Sequence, residues 1–530
     1  MDRRTFLKAG AGVAATSGFA APALSQGAAA RTLRFVPQAN LANFDPIWGT
    51  QYVVRNAACM VWDTLYGFDA NLTPQRQMVE SEEVTDGGRT WTFKLRAGLR
   101  FHDGEPVRAR DVAASLNRWA VRDGMGQMIR AIQEEPVSAV DDTTFRWRLK
   151  SPYPKMLVAL GKNNTPMSFI MPERIARTDP FQQITEIVGS GPYRFVAAEY
   201  RPGSRLVYER NPDYVPRPEP ASGFAGGKRV HVDRVEWVII PDPPTAFAAL
   251  RRGEVDFIDA PLLDMLPTIT GDPDIVIGEV WPIETYGVLR FNHLHPPFNN
   301  VLARRAVAHA VSQRDYMAAA YGDEKWWREC YAFWICGSPN GTEAGSEPYR
   351  RQDLDRARQL VEQSGQKGAK VVLIGGNGIP AYRQMSLVTA DILKRIGFVV
   401  DMQLSDWGSV AARRAKKDPP DQGGWNVFHT SANGAQLASP LTSPSTIMTC
   451  DGRNFVGWPC DEESEAMRQR YIREANTEAQ RALLERMHRR LWEQLPYVPL
   501  GQFRQPFLWR RNVTGVVRAN TLVFWNIDKA

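Results

Sequence analysis

From Lys370 to Leu404 the chain reads strand, glycine turn, helix, strand, and this order constrains its architecture more than any other stretch. The segment AKVVLIGGNGIPAYR at 369–383 opens it. Met385, Val388, Ile392 and Ile396 then recur at helical spacing, and FVVDMQL at 398–404 restores a strand. Two strands joined through a helix make a βαβ unit, because parallel strands need a long crossover that a hairpin cannot supply. The later part of the chain is therefore α/β. Earlier, the texture differs. In TWTFKLR, Trp91, Phe93 and Leu95 alternate with Thr92, Lys94 and Arg96, the period of a strand with one buried face. Asp86-Gly87-Gly88 and Asp103-Gly104 bracket it as turns, so an antiparallel meander is expected.

Other elements fall around these two anchors. RTLRFV reads as a short strand that enters the polar, irregular PQANLANFDPIWGTQY, and an apolar helix follows around Val53–Leu65. NNVLARRAVAHAVSQ is a helix with Val307, Ala310 and Val311 on one face. DLDRARQLVEQSG begins with acids, buries Leu360 and Val361 and stops at Gly365. Thr477 with Gln480 has the spacing of a capping box for a long helix carrying Leu483, Leu484, Met487 and Leu491, ended before Pro496. NPDYVPRPEPASGFAGGKRV reads as a loop within a lobe.

With 530 residues and 43% hydrophobic content the chain has material for more than one lobe, and 16 Trp with 15 Tyr exceed what a core needs. The first residues carry Arg3-Arg4, then Thr5-Phe6-Leu7-Lys8, a mildly apolar run from Ala9 to Ala23, and small residues at Ala23-Leu24-Ser25. That order matches a twin-arginine signal peptide over 1–25, removed on export to the periplasm. No later run of about 18 apolar residues follows. The net charge is +7; Arg3, Arg4 and Lys8 less Asp2 account for +2, which leaves about +5 on the mature chain. Charges of both signs are interspersed and no dense basic block occurs, which argues against nucleic acid as a partner. In an oxidising compartment the close pairs Cys330 with Cys336 and Cys450 with Cys460 read as disulfides, leaving Cys59 in AACMVW as a buried thiol. Zinc is disfavoured, because no CxxC spacing occurs and no His lies beside either pair.

The stretch from Asp86 to Asp111, DGGRTWTFKLRAGLRFHDGEPVRARD, resembles a signature of the extracellular solute-binding proteins of the peptide/nickel ABC-transporter family, family 5. Further matches follow in order: GSGPY at 189–193, RNPDY at 210–214, GEVDFID, NHLHPPFNNVLARRAVAHAV and PYVPLGQF. The resemblance implies a type II periplasmic-binding-protein fold, two α/β lobes with an extra β-rich domain inserted in the first. Residues 31–70, 190–285 and 500–530 would form the first lobe, 71–189 the insert and 286–499 the second lobe. It further implies a monomeric receptor, not an enzyme, that takes up a peptide or peptide-like solute between its lobes and delivers it to an inner-membrane ABC permease.

A few chemistry-bearing motifs stand beside that resemblance. Gly376, Gly378 and Ala381 approximate a dinucleotide fingerprint, with Asp401 about twenty residues on where a ribose partner would sit. A Tat-exported cofactor-binding oxidoreductase is thus the alternative, and a receptor used for signalling rather than transport is another. Pro380 interrupts the glycine turn and only one βαβ unit supports a cofactor, so none is expected. His293 and His295 would share one strand face as a metal pair, but the absence of nearby acids favours polar residues at a crossover, and no metal is expected. GxSxG, HExxH and Walker-type loops are absent.

In dipeptide-binding members of the family an Asp pairs with the peptide amine and an Arg in the strand-to-helix loop with its carboxylate. Ungapped alignment puts those positions at Ala435 and Gly376, so both charged anchors are missing. A free zwitterionic dipeptide would then bury unpaired charge, which costs several kcal/mol. Binding is expected to rest on neutral groups: Thr50, Gln51 and Tyr52 from the first lobe facing Thr430, Ser431 and Asn433 from the second, with Asn377 reaching in from the glycine loop.

Overall fold

The computed structural model describes residues 31–530 apart from 339, 442, 453 and 475. The twin-arginine segment lies outside the described residues. No helix among those described is long and apolar enough to cross a membrane.

Two large sheets organise the molecule. A seven-stranded sheet has the order Ile275–Glu279, Pro506–Arg510, Phe257–Ile258, Thr32–Val36, Arg234–Val238, Arg205–Arg210 and Tyr193–Phe195. Thr32–Val36 is parallel to both of its neighbours and the remaining pairs are antiparallel. A six-stranded sheet has the order Trp327–Arg328, Tyr497–Phe503, Thr285–Phe291, Val427–Asn433, Lys370–Gly376 and Val399–Ser405. Within it Lys370–Gly376 runs parallel to Val399–Ser405, and the helix Pro380–Arg395 connects them, so the βαβ unit forms as read. Pro380 takes the first position of that helix, where a missing N–H is no loss.

The chain passes between these sheets at 280–284 and again at 504–505. The two crossings are laced together. Arg504 pairs with Glu279 at 3.6 Å, and Gln502 donates to Glu284 at 2.5 Å. Because Tyr497–Phe503 lies in the six-stranded sheet, the expected change of lobe at 499/500 falls inside a strand, and the crossing comes after Phe503.

A four-stranded antiparallel sheet occupies the insert, in the order Val79–Thr85, Thr90–Leu95, Thr144–Arg148, Ser138–Ala139. Trp91, Phe93 and Leu95 are buried as the alternation requires, and Asp86, Gly87 and Gly88 all adopt positive φ in the hairpin turn. It is not a simple meander. After Leu95 the chain leaves to form the helices Ala109–Arg122 and Gly124–Ile132, then returns as a second hairpin.

Three other local readings shift. The helix expected around Val53–Leu65 is Tyr52–Val61; it stops so that Asp63 can turn inward to a buried ion pair with Lys228 at 2.7 Å. The run 299–313 is split at Val311, because Ser312 caps a new helix, Gln313–Tyr321, through the Asp315 N–H. The long C-terminal helix, Thr477–Gln494, is capped by Asn476 and not by Thr477; Gln480 instead donates to the Glu474 carbonyl. Disulfides join Cys330–Cys336 and Cys450–Cys460, and Cys59 is a buried free thiol whose pKa burial pushes up to about 12.

Candidate functional site

Where the carboxyl ends of strands from both large sheets meet, side chains of the two halves touch. This is where open α/β sheets leave a crevice for ligands. Gln51 is the extended residue before the helix Tyr52–Val61, and it directs Thr50, Gln51 and Tyr52 toward the strand Val427–Asn433. The Tyr52 hydroxyl accepts the Asn433 N–H at 2.6 Å and donates to the Ser431 carbonyl at 3.4 Å. From the second half, Tyr382 places its hydroxyl 2.6 Å from Ser431 Oγ and accepts the Ser431 N–H at 3.1 Å. Thr430 Oγ1 donates to the Ser431 carbonyl at 3.4 Å. Trp281 closes one side, edge-on to Tyr52 at 5.6 Å. Burial raises the pKa of both tyrosines, so their hydroxyls are neutral donors and acceptors.

Six of the seven residues named from the sequence are thus gathered in one place. Asn377 is the exception: it is exposed on the glycine loop, tied only through its N–H to the Ser405 carbonyl. Its neighbour Gly378 does line a cavity of about 140 Å³ between the halves, together with Gln38, Pro241, Phe247, Leu262 and Trp407.

Several polar atoms here are buried with no partner among the described residues: Gln51 Oε1, Trp281 Nε1, Thr285 Oγ1 and Asn433 Nδ2. Thr285 and Asn433 face each other in register across the sheet, and Asn433 spends its oxygen on the Ala435 N–H. Each orphaned group carries a desolvation penalty of roughly 1–3 kcal/mol that a bound molecule could relieve.

Charge is present as well, which the sequence reading did not find. Arg414 is 5% exposed, and its Nη2 donates to Thr50 Oγ1 at 2.9 Å across the two halves. The rings of Trp407, Phe428 and Phe455 surround its guanidinium at 5.3, 5.5 and 5.9 Å. Among the described residues no carboxylate pairs with it, and burial lowers its pKa to about 10. Trp407 and Arg414 are seven residues apart at the two ends of one helical segment, a spacing that puts them on one face. That spacing was the available signal. Arg55, stacked on Tyr52 at 4.6 Å, and Asp259 lie beneath the site; burial pushes the Asp259 carboxyl up to about 7. A buried guanidinium thus lies beside the neutral groups expected from the sequence.

The two anchor positions carry no charge. A Cβ at Gly376 would sit 3.2 Å from the Trp407 ring, close enough that the ring would have to give by a few tenths of an ångström. Ala435 is buried in the turn that Asn433 braces. The remaining candidates are engaged elsewhere. Asp401 pairs with Lys370 at 2.9 Å. His293 and His295 face different carbonyls, those of Pro496 and Lys417, and do not converge.

Comparison with known proteins returns a consistent set. A family model described as bacterial extracellular solute-binding proteins, family 5 Middle, matches residues 73–455. The chain is 36% identical over 540 residues, covering all of both chains, to a probable peptide ABC transporter periplasmic-binding protein of Sinorhizobium fredii. It is 26% identical to di/tripeptide-binding protein 2 of Pseudomonas aeruginosa, covering 94% of each. Among solved structures, a periplasmic binding protein from A. tumefaciens R10 in complex with agropinic acid superposes with TM-score 0.78 at 20% identity, covering 94% of this chain and 99% of the other. A Helicobacter pylori periplasmic binding protein in complex with the peptide STSA gives 0.78 at 21%, covering 95% and 100%.

Proposed function

The chain belongs to the bacterial extracellular solute-binding proteins, family 5, and from that premise we propose that it is the substrate-binding component of an ABC importer, capturing a peptide or peptide-like solute between its two halves. The observation that carries this reading is the set of unpartnered buried polar atoms on Gln51, Trp281, Thr285 and Asn433, beside an arginine with no carboxylate partner. Such groups await a molecule that bears donors, acceptors and an acid. Thr50, Gln51 and Tyr52 would hold it from one side, Thr430, Ser431 and Asn433 from the other. Arg414 would take its anionic group, doing from a helix end what the glycine loop cannot. Capture is a population shift: a ligand that bridges both halves only when they are closed stabilises that state.

The arginine favours an acid-bearing solute over a purely neutral one. Relatives fit that preference: the Sinorhizobium protein is named for peptides, whose free C-terminus is a carboxylate, and the A. tumefaciens structure holds agropinic acid. On this reading the protein is exported by its twin-arginine leader, works in the periplasm as a monomer without chemistry of its own, and hands its cargo to an inner-membrane permease. Its first lobe would comprise 31–70, 190–284 and 504–530, its insert 71–189 and its second lobe 285–503.

Native mass spectrometry of protein purified from the periplasm, followed by unfolding to release what it carries, tests the proposal. A peptide or an acidic peptide-like metabolite at one copy per chain is expected. A retained flavin or nicotinamide would overturn it.

A further inference from the structure

The insert does more than extend the first half, because it also touches the second. It is fastened to the seven-stranded-sheet half by a buried bidentate pair, Arg118 to Asp45 at 2.6 and 3.1 Å, and by the Trp62 indole donating to the Val188 carbonyl at 2.9 Å. Its helix Gly124–Ile132 is built rigidly. Asp123 caps it through the N–H groups of Met125 and Gly126 and is itself held by Lys162 at 2.7 Å, both side chains at most 4% exposed.

That helix meets the 445–471 region of the second half. A Cβ at Gly124 would come within 3.0 Å of Ile447 Cδ1, so the two meet closely enough that any larger residue would have to push that methyl group aside. Arg468 Nη1 lies 3.3 Å from Met128 Sδ, and its charge is neutralised on its own helix by Glu465 at 2.6 Å. Met125 and Ile129 of the insert share one contiguous core with Met448, Met467 and Tyr471, while other insert residues, among them Met171 and Ile175, pack into the core of the seven-stranded half. No covalent connection joins the insert to this region other than through the crossings at 280–284 and 504–505. Any rotation about those crossings must therefore part or slide this seam. Methionine suits a surface that separates and re-forms, since its flexible thioether repacks at little cost.

We infer that Gly124, Met128, Ile447 and Arg468 form a second closing surface, which sets solute affinity from outside the cleft. The seam buries apolar groups only when the halves are together, so it stabilises the closed state in the absence of solute. Linkage then requires any loss of that bias to weaken the apparent affinity, by up to the same factor.

The inference rests on closure as the capture motion but not on the identity of the solute, and its test needs none. Gly124→Trp wedges the seam while leaving Tyr52, Arg414 and their neighbours untouched. In the full chain freed of solute by unfolding and refolding, small-angle scattering should give a larger radius of gyration than for the unmodified protein. Amide exchange over 444–448 and 462–468 should quicken by about tenfold or more. Ile447→Ser, which removes the apolar tip and adds no bulk, should move both readouts the same way and covers the case in which the wedge misfolds. Unchanged scattering and unchanged exchange in both variants would overturn the seam as a closing surface. Whether any solute co-purifies decides the transport reading separately.

Discussion

Arg414 illustrates how one residue can matter because of what it lacks. An arginine buried against three rings, with Thr50 as its one polar side-chain partner among the described residues, is a poor stability device, because desolvation is not offset by a carboxylate. Replacing it with methionine keeps the packing, so Arg414→Met should melt within a few degrees of the parent. Its affinity for the solute recovered from the protein should fall roughly ten- to hundredfold, the range for losing a hydrogen bond to a charged group. Titration calorimetry with that solute checks both the size and the sign. Asp259 makes the complementary case. Its folded pKa of about 7 lies above the value of about 3.9 for an unfolded aspartate. The native state therefore binds the extra proton, and stability from this group is full below about pH 4 and lost as pH rises through about 7. Asp259→Asn should flatten that part of the melting-temperature profile between pH 4.5 and 7.5; an unaltered slope would exclude Asp259 as its source.

At the scale of elements, period and punctuation carried most of the information. The βαβ unit could be read because its helix has apolar residues at helical spacing and its strands are bounded by glycines, and Gly365 does end its helix at positive φ. What could not be read were choices between adjacent candidates. Asn476 and Thr477 both suit an N-cap, and the structure selects the earlier one because Gln480 reaches the Glu474 carbonyl instead of closing a box. Asn476→Ala should accordingly cost about 1 kcal/mol in urea unfolding, with Thr477→Ala nearly silent. The reverse ranking would restore the capping box. The split at Val311 was hidden for a similar reason: Ser312 is an adequate helix residue and a better cap, and only the tertiary fold shows which role it takes.

For the whole molecule, the seven-stranded and six-stranded sheets follow from a resemblance that runs along most of the chain, and the facing of Thr50–Tyr52 with Thr430–Asn433 followed from the same alignment. Arg414 was invisible there because alignment asks what replaced an anchor at its old position, not whether charge arrived from another element. Trp407 links the two places: its ring lies beside Gly376 and also forms one wall around the guanidinium. The seam between the insert and the second half was beyond the sequence altogether, since Gly124 and Ile447 are more than three hundred residues apart and neither belongs to a recognisable pattern.

The two crossings have a mechanical consequence. Each is pinned to the other, Glu279 by Arg504 and Glu284 by Gln502, with Arg328 bracing Glu284 at 2.8 Å. Paired in this way the crossings are coupled, each contact adding up to about 1 kcal/mol against their bending apart, which favours a hinge that swings along one coordinate. Such a receptor behaves as a caliper: one distance across its mouth would suffice to describe every stage from empty to loaded.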